Sequence, residues 1–149
     1  MNYSDLSDEK SGYEDFLASC EHAKKVSLLA TVDGLLQWDE QTMLPAAAGD
    51  FRAEQAARLA AITHAQRTQK AQGERLEKLA ASSLATNGPE AVQATIRLLH
   101  EDFQKQSRVP EKLVEEIART SIEAQQEWVA AVEASEWKRW SAIWKRCFH

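Results

Sequence analysis

Residues that interrupt helices are scarce: the 149-residue chain has five glycines and three prolines. Its composition is 44% hydrophobic and rich in Ala, Leu, Glu, Lys and Gln, which favours helix over strand and does not match a disordered chain. The two cysteines, Cys20 and Cys147, lie far apart without metal-ligand spacing, which excludes a disulfide scaffold or a zinc knuckle. Each reads as a small core hydrophobe. No apolar run approaches the roughly 18 residues of a membrane span. Met1-Asn2-Tyr3-Ser4-Asp5 lacks the basic and apolar regions of a secretory signal, so the expected location is cytoplasmic. The 23 acidic and 18 basic residues are spread along the chain, leaving a net charge of -5 and no basic face. Neither nucleic acid nor membrane is an expected partner. There is no glycine-rich phosphate loop, no nucleophile elbow, no C-x-x-C and no paired E-x-x-H of a di-iron bundle.

At this length one domain is expected, burying roughly 70% of the surface its unfolded form exposes. Residues 1–10 read as a disordered terminus, and residues 11–149 as a single helical domain. Ser11 is placed to cap a helix running from Gly12 or Tyr13 toward Gln41, with Phe16, Cys20, Ala23, Leu28, Leu35 and Trp38 as its apolar stripe and Gly34 as its weak point. A helix of about 30 residues is about 45 Å long. A compact chain of this size is about 38 Å across, so an elongated molecule is expected. Thr42 to Gly49 contains Pro45 and predicts a chain reversal, with Asp50 capping the next helix.

Residues 51–69 form an Ala-rich stretch with Ala53, Ala56, Ala57, Leu59, Ala60 and Ile62 as its packing side, and Gly73 then interrupts the pattern. A shorter helix is expected from Glu74 to Leu84, with Leu76, Leu79 and Ala80 inward. Thr86-Asn87-Gly88-Pro89 marks a stop and a new start. Val92, Ile96, Leu99 and Phe103 then share one helical face. Val109-Pro110 opens the following helix, with Glu111, Glu115 and Glu116 at its positive end. Its expected seam is Ile117, Ser121, Ala124, Trp128 and Ala131. Ser135 is read as the cap of a last segment that aligns Trp137, Trp140 and Trp144. Three tryptophans bury of order 200 Å² each when covered, so this stripe either packs on the chain's own helices or forms an interface. The predicted fold is all-α, an elongated bundle of about five or six helices that includes a long antiparallel helical hairpin.

The least generic stretch is Leu35 to Leu59, with Trp38-Asp39-x-x-Thr42, then Pro45, then Arg52-Ala53-x-Gln55. A second follows from Val109-Pro110 to Arg119 and continues at Ser121, Ala124 and Trp128, more loosely at Trp137 and Trp140. Together they resemble the N-terminal third of the thermostable carboxypeptidases, all-helical zinc metallopeptidases built around an H-E-x-x-H helix. His64 also resembles a position that family occupies with His. The resemblance implies release of C-terminal amino acids from peptides by a divalent metal, zinc above all, in the full-length enzymes.

That chemistry needs two histidines one helical turn apart on the metal and a glutamate acting as general base. The histidines here are His22, His64, His100 and His149. Only His100 precedes a Glu, in His100-Glu101-Asp102-Phe103-Gln104, where Gln104 stands in the place of the second histidine. No catalytic, cofactor-binding or metal-binding residue is therefore assigned, no cofactor is expected in this chain, and the chain alone is expected to be inactive. For Trp38, Asp39, Thr42, Pro45, Arg52, Gln55, His64, Pro110 and Trp128 the expected role is architectural, with Asp39 pairing with Arg52 across the turn and Trp38 filling space between two helices. The functional alternative has Asp39 or Arg52 lining a substrate groove, the guanidinium fork orienting a peptide carboxylate. The expected partner is a C-terminal catalytic portion or a second copy, through Trp137, Trp140 and Trp144. The alternative to a peptidase part is a stand-alone interaction module of the same descent.

Overall fold

A computed structural model describes residues 3–136 and Ser141. Trp137, Trp140, Trp144, Cys147 and His149 lie outside the described residues. Among the described residues there are six α-helices, one short 3-10 helix and no strand, as the composition predicts. The helices are α1 (Tyr3–Thr42), α2 (Gly49–Arg67), α3 (Lys70–Ala80), α4 (Ser83–Asn87), α5 (Glu90–Gln106) and α6 (Glu111–Glu133), with the 3-10 turn at Ala46–Ala48. The chain divides into two compact units, Met1–Leu29 with Thr63–Val109, and Ala30–Ile62 with Pro110–His149.

In the first unit, the core is Leu79, Leu84, Val92 and Ile96, with Phe16 and Ala85 packed against it. Burying each large side chain is worth about 1.5–3 kcal/mol. Val92 and Ile96 are the inward i, i+4 pair that the sequence spacing predicts. Asp15 ties α1 to α3, accepting from Lys78 Nζ at 2.7 Å and pairing with Arg75 Nε at 3.8 Å. The expected break at Gly73 is absent, since Gly73 is buried inside α3. The interruption falls at Thr68 and Gln69, where the Thr68 hydroxyl donates to the His64 carbonyl at 2.9 Å and turns the chain out of α2. Gly73 serves a different purpose: a Cβ there would come within 2.6 Å of Phe103 Cε1, so its bare backbone lets α5 approach α3.

α1 also begins earlier than the Ser11 cap, at Tyr3. Its buried side differs from the predicted stripe: Val26 is buried, whereas Leu28 and Leu35 are exposed. Gly34 does not weaken α1 enough to break it.

In the second unit, α1 ends where the Met43 and Leu44 amides both donate to the Asp39 carbonyl, at 2.8 and 2.9 Å, and Pro45 cannot continue the helix. Gly49, rather than Asp50, starts α2, and Asp50 lies in its first turn. The Gln126 amide occupies the space a Gly49 side chain would fill. Ala53 and Ala56 pack on Ile122, and Glu54 pairs with Arg119, so contacts step backward along α6 as they advance along α2. Small side chains on α2 permit this closeness. The predicted seam of α6 holds only in part: Ala131 is buried and Ala124 half-buried, but Ile117, Ser121 and Trp128 are exposed and Ile122 takes an inward position instead. Ile122 wins the inward position because alanines face it.

α6 closes with the Ser135 amide donating to Val132 at 3.1 Å and the Glu136 amide to Ala131 at 2.8 Å. This paired bonding is a Schellman motif, and Ser135 takes the left-handed position at φ 55°. Ser135 thus ends α6, in contrast to its predicted role as an N-cap.

Candidate functional site

The Trp38-Asp39-x-x-Thr42 and Arg52-x-x-Gln55 motifs meet in the second unit and form one joint. Arg52 is 8% exposed. Its Nη1 donates to the Leu36 carbonyl at 2.6 Å and its Nε to Gln55 Oε1 at 3.0 Å, while Nη2 donates to the Asp39 carboxylate. The planar fork therefore ties the last turns of α1 to the second turn of α2, a geometry lysine could not reproduce. Thr42 donates its hydroxyl to the Trp38 carbonyl at 2.7 Å. Asp39 contributes its side chain to Arg52 and its carbonyl to the two amides that stop the helix.

Trp38 does not fill the space between helices, as it is 62% exposed. On a 3.6-residue period Leu36, Asp39 and Glu40 point inward and are half-buried, whereas Trp38 falls on the outer face with Leu35. The inner side is taken by the guanidinium, so the larger ring is excluded from it.

Beside the joint is a cleft of about 710 Å³ that includes Glu40, Thr42, Pro45, Gly49, Gln126 and Glu133 in its lining. Burial pushes the Glu40 carboxyl above its ordinary range, and the positive charge of Arg52 offsets part of that rise. Glu40 Oε1 and Gln126 Nε2 are buried without a hydrogen-bond partner. Neither residue was singled out from the sequence. Glu40 shares the inward face with Leu36, a signal that reading missed, while Gln126 gives no signal in its neighbourhood. Elsewhere on α2, the hydrogen bond and charge of Arg119, 2.7 Å away, hold the Glu54 carboxyl below its ordinary range.

The other motif residues are dispersed. His64 lies in the first unit, 7% exposed, with Nε2 2.9 Å from the Val109 carbonyl. A carbonyl only accepts, so that nitrogen carries the proton. Pro110 precedes α6 as its N-cap, and Trp128 is 39% exposed on α6.

Among the described residues zinc has no matching donor set. His22 Nε2 is 2.9 Å from the Gln66 carbonyl, and His100 Nε2 is 3.3 Å from the Gln104 amide nitrogen. No three His, Cys, Asp or Glu side chains gather among the described residues. The described residues therefore do not fit a catalytic zinc, which needs three protein ligands and an open position. No helix among the described residues is long and apolar enough to cross a membrane.

Compared with known proteins, the sequence matches the carboxypeptidase Taq (M32) metallopeptidase family over residues 18–149. It is 28% identical over 139 residues to thermostable carboxypeptidase 1 of Thermus thermophilus, an alignment covering 93% of this chain and 27% of that protein. The chain thus spans about a quarter of the relative's length. No solved structure matches it.

Proposed function

This chain belongs to the carboxypeptidase Taq (M32) metallopeptidase family, and we propose that it supplies the N-terminal helical part of a metal-dependent carboxypeptidase and does not itself hydrolyse peptides. In the whole enzyme the substrate is a peptide, from which C-terminal amino acids are released. The observation that carries this reading is the state of the histidines. His22 and His64 are engaged with backbone carbonyls, and Gln104 stands where His100 would need a second imidazole. The Asp39–Arg52 joint then serves to fix the geometry of the second unit. Its guanidinium is already committed to three acceptors and has little capacity left for a substrate carboxylate.

The test is release of C-terminal amino acids from a peptide by the purified chain with added zinc or cobalt. The expected result is no release above a metal-only control. Release that scales with chain concentration and stops on chelation refutes the proposal.

A second reading, a stand-alone association module, draws support from the large apolar side chains exposed in the second unit, Leu35, Trp38, Met43 and Phe51. It calls for a homodimer in sedimentation, weakened by Trp140→Ala or Trp144→Ala. A monomer at all concentrations refutes it.

A further inference from the structure

α6 carries apolar side chains on two sides, and α2 takes one of them. Ile122 meets Ala53 and Ala56 of α2, and Arg119 on the same side pairs with Glu54 at 2.7 Å. On a 3.6-residue period Ile117, Ser121, Ala124 and Trp128 lie on the opposite side of the helix. Ile117 is 56% and Trp128 39% exposed, Ser121 is exposed and Ala124 is half-buried. Leu113, also exposed, continues this face toward the start of α6, and the buried Ala131 closes it at the other end. It is the heptad seam that the sequence spacing marks, and α2 does not occupy it.

The spacing of the seam points to its occupant. Ile117, Ser121, Ala124 and Trp128 are separated by four, three and four residues, so the seam reads the same in both directions. A second copy laid antiparallel, with the two-fold axis at the level of Ile122 and Glu123, sets Ser121 against Ala124 and Ile117 against Trp128, and the symmetry repeats both contacts. Small residues at the centre let the two helices approach closely, and each tryptophan ring meets an isoleucine instead of a second ring. Charge favours the same arrangement. The four seam positions and the flanking Ala118, Thr120 and Gln125 are uncharged, whereas Glu115, Glu116 and Glu123 lie on other sides of the helix. A parallel pair brings Glu111, Glu115 and Glu116 of the two copies together, a repulsion the antiparallel pair avoids.

We propose that this face of α6 is a self-association surface, on which a second copy of the chain seats its own α6 antiparallel. The proposal rests on the association reading given above and names the surface that reading uses. One helix face is smaller than the roughly 800 Å² that each side of a standard interface buries, so the dimer is weak, with a dissociation constant of about 10–300 μM.

Sedimentation equilibrium of the purified chain at loadings from about 5 to about 500 μM tests this. Ser121→Arg and Ala124→Glu each place two like charges near the axis, and each is expected to weaken the dimer at least about tenfold. Mixed in equal amounts, the two variants should associate to within about threefold of the native chain, because the antiparallel register sets the introduced guanidinium against the introduced carboxylate. Arginine and glutamate are good helix formers, so α6 is retained, and recovery in the mixture requires both chains to be folded. A chain that is monomeric at every loading overturns the proposal together with the association reading. A dimer of unchanged strength in Ser121→Arg leaves that reading standing and overturns the assignment to α6. Loss in both single variants without recovery in the mixture overturns the antiparallel register.

Discussion

Arg52→Ala removes the side chain that joins α1 to α2 in the second unit, and its cost follows from the three acceptors of the guanidinium. A hydrogen bond from a charged group contributes about 1.5–3 kcal/mol when buried. The Asp39 side chain is 39% exposed, so water replaces part of what it loses and its share falls to about 1 kcal/mol. Leu36 and Gln55 are also only half-buried, so solvent discounts those bonds as well, to about 1 kcal/mol each. The total is about 3 kcal/mol, equivalent to a fall in Tm of about 6–12 °C for a chain of this length. Urea unfolding followed by far-ultraviolet circular dichroism and by tryptophan emission measures it, and coincidence of the two curves checks that the units unfold together. Arg52→Lys should recover at most about 1 kcal/mol, because an ammonium cannot serve three divergent acceptors. Combining Asp39→Asn with Arg52→Ala should give a coupling of at least about 1 kcal/mol. A loss below about 0.5 kcal/mol in Arg52→Ala, the range of ordinary surface substitutions, refutes the assignment of the motif as the joint of this unit.

Three further outcomes are expected. Gly73→Ala gains about 1 kcal/mol in helix propensity but drives a methyl into the Phe103 ring, an overpacking cost of about 1–3 kcal/mol. A net loss in Gly73→Ala that reverses in Gly73→Ala with Phe103→Leu supports the close approach; net stabilisation by the single change contradicts it. Ser135→Gly removes the cost of a left-handed non-glycine residue and should stabilise by about 1 kcal/mol in the same urea assay, with no gain speaking against the Schellman end of α6. Glu54 has a folded pKa below its unfolded one. Its contribution is therefore present above the unfolded glutamate pKa of about 4.3 and is lost as pH falls through the lower folded value. In Arg119→Ala the acid-side slope of stability against pH should flatten, and an unchanged slope removes the pairing.

The parts of the fold legible in the sequence are those where one physical signal acts alone. Val92 and Ile96 repeat at helical spacing and share one face with Leu99 and Phe103, so their burial could be read directly. Prolines at 89 and 110 lack the amide that a helix interior requires, so α5 and α6 had to begin beside them. Where signals compete, reading fails. Gly73 looks like a helix breaker by propensity, but tertiary approach of Phe103 is what requires it. Trp38 is apolar enough for a core, yet the inward positions of its turn serve the hydrogen bonds of Arg52. The seam of α6 was only partly placed because Leu113, Ile117, Trp128, Val129 and Val132 are apolar and exposed, leaving the choice of face to the alanines of α2.

The Asp39–Arg52 pair itself was legible because opposite charges flank a predicted chain reversal. The cleft was not, since Glu40 and Gln126 are distant in sequence and ordinary helix-surface types. Ser135 gave a misleading cue: serine favours N-caps, and its left-handed backbone follows from the bonds that close α6.

Zinc retention by equilibrium dialysis of the purified chain tests most directly whether its own side chains can hold a hydrolytic metal. At about 1 μM free zinc, well above what a structural or catalytic site needs, the chain is expected to retain far less than one zinc per molecule. One equivalent retained, and lost when His22, His64 or His100 is replaced by Ala, would contradict the reading of these helices as a part without its own metal centre.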